Sequence, residues 1–228
     1  MPDDKRPGLT KQTLIDTALR LLDEVGLEGL TVRRLAAELG VRSPALYWHI
    51  RTKQELLDGM ADAICRAPGM GPPRDDESWQ DWLLRRARAY RATLLARRDG
   101  ARVVAHARSL GPETVALFDQ ELTAMVERGF TPALALHTIA SLTYYVNGFV
   151  LQEQAAARTP GSLEQAPAML LAALREGGGP AGEKAFEHGL RVLIDGTSAA
   201  LSPAPGTGRQ GNRTPGSTGG ASPRPRNP

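Results

Sequence analysis

The sequence predicts an all-α protein, in which an N-terminal three-helix helix-turn-helix domain is followed by a larger helical domain. Apolar residues recur at the helical period of about 3.6 residues, as in the series Leu14, Ala18, Leu21 and Val25. Glycine and proline separate these periodic stretches at the spacing of short helices joined by turns. No stretch of the sequence shows the apolar–polar alternation of a half-buried β-strand.

The composition is that of an ordinary soluble globular protein: 228 residues, 23% charged, 41% hydrophobic and a net charge of +3. With so small a net charge, any surface that binds nucleic acid must be local. The single cysteine, Cys65, excludes an internal disulfide and offers no zinc cluster. The polar N-terminus predicts no secretion signal, and no run of about 18 apolar residues suggests a membrane span. We therefore expect a cytoplasmic protein.

The outer helices of the N-terminal domain, residues 1–66, are predicted from periodicity and capping. The first is expected over Thr10–Val25, because its apolar stripe is interrupted where Gly26 follows. The fourth connects this domain to the rest of the chain. It is expected to begin at Thr52, which forms a capping-box pattern with Glu55.

Between these helices, a tight turn joins two short helices within residues 31–53. Thr31 is a good N-cap for the first, since its hydroxyl can accept a backbone N–H from the first turn. The second is predicted over Pro44–Ile50, with Ser43 as its cap and proline at a position where no N–H is missed. A helix-turn-helix is the expected result.

The second of these helices buries little of its own surface. Leu46 and Ile50 are its obvious inner pair, which leaves Tyr47 and Trp48 without an apolar role. Outward rings on so short a helix are typical of a recognition helix in the DNA major groove. The alternative is that the rings cover a neighbouring helix, and base-contact chemistry is what distinguishes the two.

Basic residues cluster around the turn, with Glu38 as the only acid among them. The cluster comprises Arg33, Arg34, Arg42, Arg51 and Lys53. A run of charge is usually a solvated surface. Next to a helix that faces a groove, however, phosphate contact is the better explanation.

The rest of the chain divides into a linker, a second domain and a tail. A Pro/Gly-rich linker is predicted at 67–77, a helical domain at 78–201, and a disordered tail at 202–228, which has too little apolar surface to fold. Helices of the second domain are expected at Ser78–Gly100, Ala101–Ser109, Pro112–Gly129, Thr131–Ala157, Ala168–Arg175 and Glu183–Leu201.

Two motifs between Leu9 and Ile64, LTVRRLAAELGV and SPALYWHIRTKQELLDGM, resemble the DNA-binding domain of the TetR family of bacterial repressors. The likeness is greatest to the tetracycline-repressor branch. Further pieces, ARRDGARV, ERGFTP, NGFVLQEQ and FEHGLRVLIDG, extend it to nearly everything up to Leu201. The resemblance implies a ligand-responsive regulator of transcription whose C-terminal domain binds the ligand and dimerises.

This resemblance implies roles for the residues around the turn. Arg33 and Tyr47 are expected to reach base edges or the adjoining sugar-phosphate, and Arg33 could hold a guanine through two hydrogen bonds, worth about 1–3 kcal/mol of discrimination. Pro44 and Ala45 could meet a thymine methyl group. Phosphates would be held by Thr31, Ser43, Trp48, His49 and Lys53. Because Val32, Ser43 and Ala45 stand where the branch has hydrogen-bonding side chains, we expect a different operator sequence.

The resemblance also implies a homodimer. Thr131–Ala157 and Glu183–Leu201 are expected to form a four-helix interface with their copies, although a monomer core would also explain their apolar faces. Two linked DNA-binding domains can span half-sites about one helical turn apart, roughly 34–36 Å, so a palindromic operator in double-stranded DNA is expected. A small-molecule inducer would release the operator by binding the two arrangements with different affinity.

In the tetracycline-repressor branch the inducer arrives with magnesium, and this sequence departs from that pattern. Val104 stands at the position of a metal-binding histidine, and Gln152 stands at that of a glutamate. Because magnesium prefers oxygen ligands such as carboxylates, we predict an organic ligand bound without metal or other cofactor; a tetracycline–magnesium-type inducer is the alternative. Candidate pocket residues are Arg86, Tyr90, His106, Tyr144, Asn147 and Gln152. Rings at helical spacing are more often core.

An enzyme is the competing class of function, and the sequence gives it little support. None of the four histidines lies in a metal-binding pattern such as HExxH, and neither a glycine-rich phosphate loop nor a GxSxG elbow is present. The lone Cys65 is weak evidence for a nucleophile. A protein that dimerises without touching DNA is a further alternative, and substitution of Arg33 and Tyr47 would distinguish it.

Overall fold

The computed structural model describes residues 9–66, 69–158 and 167–201. These residues form ten helices and no β-strand, so the all-α prediction is confirmed. In chain order the helices are α1 (Lys11–Gly29), α2 (Val32–Glu38), α3 (Ser43–Leu46), α4 (Lys53–Cys65), α5 (Trp79–Leu95), α6 (Gly100–His106), α7 (Pro112–Val126), α8 (Pro132–Arg158), α9 (Ala168–Gly177) and α10 (Glu183–Leu201). The tail predicted to be disordered, 202–228, lies outside the described residues.

Threonine caps start three of the four N-terminal helices. The hydroxyl oxygens of Thr10, Thr31 and Thr52 accept backbone N–H groups three residues along, at 3.1, 3.2 and 3.0 Å. Each cap satisfies one donor that a helix start leaves unpaired and contributes about 1 kcal/mol. The Glu55 carboxylate accepts the Arg51 N–H at 2.9 Å, one residue before its expected capping-box partner.

α1 is longer than predicted because the chain passes through Gly26 with a kink and continues. Gly26 has φ 71° and ψ 177°, which are not helical values. After the kink, the Leu27 N–H donates to Asp99 Oδ2 at 3.0 Å. The kink therefore docks the end of α1 against the start of α6.

The predicted bounds and cap of α3 are wrong. The helix covers only Ser43–Leu46; Ser43 is its first helical residue, and Arg42 occupies the cap position without a side-chain hydrogen bond. Beyond the helix, tight turns lead to Ile50, whose N–H donates to the Leu46 carbonyl at 2.9 Å. Leu46 and Ile50 are both buried, so packing on a shared core sets the path of this segment in place of a regular helix.

α5 and α8 form the centre of the C-terminal half, α5–α10. The two helices pack against each other, and Trp82 and Tyr90 of α5 and Val150 of α8 are buried. α6 and α7 pack against α8, and α10 packs against both α5 and α8. Gly100 was predicted to end α5, but it is the first residue of α6, because Asp99 turns the chain in the left-handed conformation with φ 57°.

α4 is held to the C-terminal half through two carboxylates. Asp58 accepts the Arg108 N–H at 2.9 Å and the Ser109 hydroxyl at 2.7 Å, while Asp62 accepts the Gly111 N–H at 2.7 Å. Burial opposes ionisation of Asp58, but these hydrogen bonds outweigh it, and the pKa of this carboxyl lies below its ordinary value. α4 therefore helps to place α1–α3 relative to α5–α10, together with α1, whose Leu27 N–H donates to Asp99 Oδ2.

α8 contradicts the expectation that no segment is apolar enough to span a membrane. Over Pro132–Ala157 it is long enough and apolar enough to cross a membrane, judged by length and composition alone. Its most apolar stretch has a mean hydropathy of 1.3, and 33% of that stretch is buried. Its inward residues, among them Ala135, Leu142 and Val150, lie in the core with α5 and α7. The central helix of a helical core has the same character, since such a helix is apolar on most sides.

We expect Gly26→Ala to lower the free energy of unfolding by about 2–3 kcal/mol. The backbone at φ 71° and ψ 177° favours glycine, and an added Cβ would lie 3.0 Å from both Arg98 Nε and Asp99 Oδ2. Gly40→Ala is the matched control, because Gly40 also has a positive φ of 66° but nothing lies within 4 Å of an added Cβ. It should lose about 1 kcal/mol. Urea denaturation measures both, and equal losses would contradict the docking of α1.

Candidate DNA interface and ligand pocket

The turn after α3 presents two large rings to solvent. Trp48 is 89% exposed and Tyr47 is 51% exposed. Large aromatic side chains stabilise a fold by burying their surface, and Trp48 buries almost none. It therefore does not cover a neighbouring helix of the same chain, which leaves its surface available to a partner.

Basic side chains around α2 and α3 have no acidic partners. Arg33, Arg34, Arg42 and Lys53 are exposed, and none of them forms an ion pair with a described residue. Lys11, which lies further from the turn, does form an ion pair: its Nζ lies 2.9 Å from a Glu55 carboxylate oxygen. Unpaired cations that flank exposed rings form the kind of surface that binds phosphates.

Several arginines of the C-terminal half do form ion pairs. Arg85 Nε lies 2.7 Å from Glu77 Oε1, and Arg91 Nη2 lies 2.6 Å from Glu153 Oε1. The Arg85 guanidinium holds the pKa of Glu77 down to about 2. Other exposed arginines of this half, such as Arg108 and Arg175, form no ion pair with a described residue. What sets the surface around α2 and α3 apart is that its cations flank exposed rings.

The other residues predicted to contact DNA lie in the same segment and differ in how exposed their side chains are. The structure leaves Pro44 and Lys53 exposed and Ser43, Ala45 and His49 half-buried. Thr31 is exposed, and its hydroxyl oxygen accepts the Arg34 N–H at 3.2 Å. A hydroxyl that accepts through its oxygen can still donate its own proton, so the cap does not prevent a phosphate contact.

A buried ion pair lies between α5 and α7. Arg86 and Glu121 are each 1% exposed, and Arg86 Nε donates to Glu121 Oε1 at 2.8 Å. The same oxygen accepts the Gly71 N–H at 2.9 Å, and the Gly71 carbonyl accepts the Trp82 indole N–H at 2.9 Å. Because burying two charges costs about as much as their attraction returns, such a pair is weak evidence for a purely stabilising role.

Four polar atoms around this ion pair lack a hydrogen-bond partner among the described residues. They are Arg86 Nη2, Tyr90 Oη, Thr114 Oγ1 and Glu121 Oε2. Leaving a buried polar atom unpaired costs about 1–3 kcal/mol, and few such atoms occur in native proteins. We call these residues the polar cluster: Arg86, Tyr90, Thr114 and Glu121. Two of them, Thr114 and Glu121, also line a recess.

A small, partly open recess lies beside Thr114 and Glu121 of the polar cluster. Its lining residues are Cys65, Met70, Thr114, Leu117, Phe118 and Glu121. The Arg86 guanidinium carbon lies 5.7 Å from the centroid of the Phe118 ring. Burial raises the pKa of the Cys65 thiol to about 11. Because the thiol stays protonated at neutral pH, it offers a small apolar wall and no nucleophile.

The structure brings together only some of the predicted ligand residues. Arg86 and Tyr90 belong to the polar cluster, and Asn147 is half-buried on α8 with its Oδ1 unpartnered among the described residues. His106, Tyr144 and Gln152 are exposed, and His106 Nδ1 lies 2.7 Å from the Arg102 carbonyl. Within one chain, these three lie apart from the polar cluster.

Sequence reasoning missed Glu121 and Thr114. Glu121 lies on α7, four residues from both Leu117 and Met125, at a position where the helix is otherwise apolar. A carboxylate at an inward position is a signal that could have found it. Its partner Arg86 is 35 residues away in the chain, so no local pattern predicts the pair. Nothing in the sequence around Thr114 indicates that its side chain belongs to the polar cluster.

A divalent metal ion does not fit these residues. Glu121 offers one free carboxylate oxygen, while the Arg86 guanidinium occupies the other at 2.8 Å. Val104 is apolar and Gln152 carries an amide, so neither supplies the carboxylate that magnesium prefers. Throughout 9–66, 69–158 and 167–201, no three His, Cys, Asp or Glu side chains gather so that they could hold a metal ion.

A helix-turn-helix with exposed rings, packed through α1 and α4 against an α-helical half that contains a buried ion pair and a small recess, is the architecture of a ligand-responsive DNA-binding regulator. Residues 14–60 match the model of the tetR family of bacterial regulatory proteins, and residues 72–201 match the tetracyclin repressor-like C-terminal domain. The chain belongs to the TetR family. It is a ligand-responsive, DNA-binding transcriptional repressor and not an enzyme.

Relatives resemble this chain over both halves. Tetracycline repressor protein class A from transposon 1721 of Escherichia coli is 43% identical over 195 residues, which is 82% of this chain and 90% of that protein. The structure of TetR(class A) in complex with 5a,6-anhydrotetracycline and magnesium is 38% identical with a TM-score of 0.66, covering 84% of this chain and 99% of that one. A possible TetR family regulator from Streptomyces coelicolor A3(2) is 36% identical with a TM-score of 0.74, covering 83% and 99%.

Removing one member of the buried ion pair leaves the other charge uncompensated. We expect Arg86→Met to lower the free energy of unfolding by about 3–5 kcal/mol. The double variant Arg86→Met/Glu121→Met should recover most of that loss, because no charge then remains buried. Urea denaturation of the full chain measures both variants. A double variant as unstable as the single one would contradict the pairing.

Proposed function

We propose that two copies of this chain bind a palindromic operator in double-stranded DNA and that a small organic inducer releases them. The observation that carries this proposal is the surface around α2 and α3, where the exposed Trp48 and Tyr47 are flanked by unpaired cations. A protein that binds the bacterial chromosome works in the cytoplasm, and we propose that location.

The DNA contacts divide by exposure. Arg33 and Tyr47 reach base edges or the adjoining sugar-phosphate, and Trp48 and Lys53 hold phosphates that fix the register. Ser43, Ala45 and His49 are half-buried, so they contact DNA only where the walls of the groove lie close to the protein surface. Removing both Arg33 and Tyr47 side chains should abolish a mobility shift on DNA from upstream of the coding region. A protein that only dimerises would lose nothing.

Apolar side chains exposed on α8 and α10 favour a homodimer. Leu136 and Tyr144 on α8 are 53% and 75% exposed, and Val192 on α10 is 55% exposed. Apolar surface gathered along neighbouring helices marks an interaction site. A core within one chain does not account for these side chains, and a second copy seated on the same two helices would cover them.

Control by an inducer follows from the position of the recess. Cys65 is the last residue of α4 and also lines the recess. Asp58 and Asp62 of the same helix hold the segment 108–111. A ligand bound at this edge of the C-terminal half therefore contacts the helix that leads to α1–α3. It shifts the protein off DNA only if it binds the released arrangement more tightly than the DNA-bound one.

Lys53→Ala removes one unpaired cation from the proposed DNA interface. We expect weaker binding to the upstream DNA and a salt-dependence slope smaller by about 1, since one phosphate contact fewer releases fewer counterions. Arg175→Ala on α9 is the control, because it removes the same charge from an exposed position in the C-terminal half. Fluorescence anisotropy at several salt concentrations gives both slopes. Equal effects of the two substitutions would contradict the interface.

Val192→Glu tests the dimer. A charge in the proposed interface should convert the protein to a monomer, because an unpaired charge is costly to bury between subunits. Val115→Glu on α7 is a matched control, since Val115 and Val192 are both 55% exposed. Sedimentation velocity should show the control as a dimer and Val192→Glu as a monomer. Two dimers, or two monomers, would contradict the assignment of α10.

A further inference from the structure

We infer that Arg91 is a positioning residue for the dimer: it fixes the start of α10 against α8, so that the exposed apolar side chains of these two helices form one face for a second copy. This inference rests on the proposed homodimer and names the residue that aligns its two interface helices. It depends on the contacts that Arg91 makes with α8 and α10, and on the close packing of those helices beside it.

Arg91 joins three helices through one guanidinium group. The residue belongs to α5, and its side chain is 13% exposed. Its Nε and Nη2 donate to the Glu153 carboxylate of α8 at 3.0 and 2.6 Å, and its Nη1 donates to Glu183 in the first turn of α10. Two parallel hydrogen bonds to one carboxylate fix the plane of a guanidinium. The same group therefore also sets where Glu183 can lie.

A buried aromatic cluster lies beside this guanidinium. The Arg91 guanidinium carbon is 4.6 Å from the centroid of the Phe186 ring of α10, and Phe186 is fully buried. Phe186 in turn contacts two rings of α8, Tyr145 and Phe149, at centroid distances of 5.7 and 5.4 Å. Because a cation is attracted to the face of an aromatic ring, Arg91 also holds the cluster by which α10 packs on α8.

α10 and α8 approach each other without room for adjustment. The Tyr145 hydroxyl donates to the Phe186 carbonyl at 2.8 Å, and a Cβ added to Gly189 would lie 2.3 Å from the Tyr145 oxygen. Only glycine admits so close an approach. A tightly packed contact has one arrangement instead of a continuous range. Once Arg91 fixes the start of α10, the position of the rest of the helix follows.

Loss of Arg91 would leave two carboxylates close together. Glu153 and Glu183 both contact the same guanidinium, and neither forms an ion pair with another described residue. Like charges repel most strongly where water is partly excluded, and the Glu153 side chain is only 12% exposed. Without the cation, this repulsion pushes the start of α10 away from α8. The exposed side chains that form the proposed interface then no longer lie in one face.

The test is the dimer dissociation constant of the full-length protein, measured by sedimentation velocity over a dilution series. Arg91→Met removes the cation and should raise the dissociation constant about tenfold or more, because an interface whose helices must be realigned on association loses its pre-organisation. Arg88→Met is the matched control. Arg88 also pairs α5 with α10, through Glu187 at 2.7 Å, but it is half exposed and its ion pair does not include α8. Its dissociation constant should stay close to the wild-type value.

Two further variants separate positioning from a general loss of stability. Gly26→Ala destabilises the chain at a site outside α8 and α10, so its dissociation constant should equal that of the wild type, with folding of every variant checked by far-UV circular dichroism. Arg91→Lys keeps the charge but lacks the planar fork that holds two carboxylates. Its dissociation constant should lie between those of the wild type and Arg91→Met, and this variant carries the test should Arg91→Met fail to fold.

Three results would overturn the role of Arg91: equal dissociation constants for Arg91→Met and Arg88→Met, an equal rise in Gly26→Ala, or Arg91→Lys that dimerises as tightly as the wild type. Failure of the proposed dimer is seen separately, in wild-type protein that sediments as a monomer at every concentration. A wild-type dimer that Arg91→Met leaves intact rejects the positioning role alone.

Discussion

The docking of α1 and α4 onto the C-terminal half is the constraint on which the rest of the structure depends. The Leu27 N–H of α1 donates to Asp99 Oδ2. The 13-residue α4 packs against α1 and α6, and its Asp58 and Asp62 carboxylates accept N–H groups from the segment 108–111. It ends in Cys65 at the wall of the recess. A packed interior resists continuous deformation, and we propose that a change in the C-terminal half passes to α1–α3 through these contacts. Hydrogen bonds thereby join the two halves of this TetR-family repressor.

The arginines of α5 and those around α2 and α3 differ in what surrounds them. In α5, Arg85, Arg86 and Arg91 are each paired with a glutamate of the same chain. Around α2 and α3, Arg33 and Arg42 have no such partner among the described residues. Charges in ion pairs stabilise the protein's own structure, whereas solvated charges without an ion-pair partner can displace the counterions of DNA. The net charge of the whole chain, +3, does not reveal this local basic surface.

Most of the fold could be predicted from the sequence, because it depends on interactions between residues that are close together in the chain. The caps at Thr31 and Thr52 and the bounds of α10 were predicted, because they depend on residues within one turn. α3 and the role of Gly100 were not, because burial of Ile50 and the left-handed Asp99 are set by packing across the chain. In the candidate site, outward Tyr47 and Trp48 were visible as rings without an apolar role. Glu121 was not, since its partner lies on another helix.

Hydroxyl-radical footprinting of the full-length protein on its upstream DNA tests the central claim most directly, namely that two copies of the α2–α3 surface bind one operator. Two equal protected patches are expected on one face of the duplex, with centres about one helical turn, roughly 10 base pairs, apart. They should disappear together when Trp48 and Arg33 are replaced by alanine. A single patch, or protection that survives those substitutions, would contradict the account.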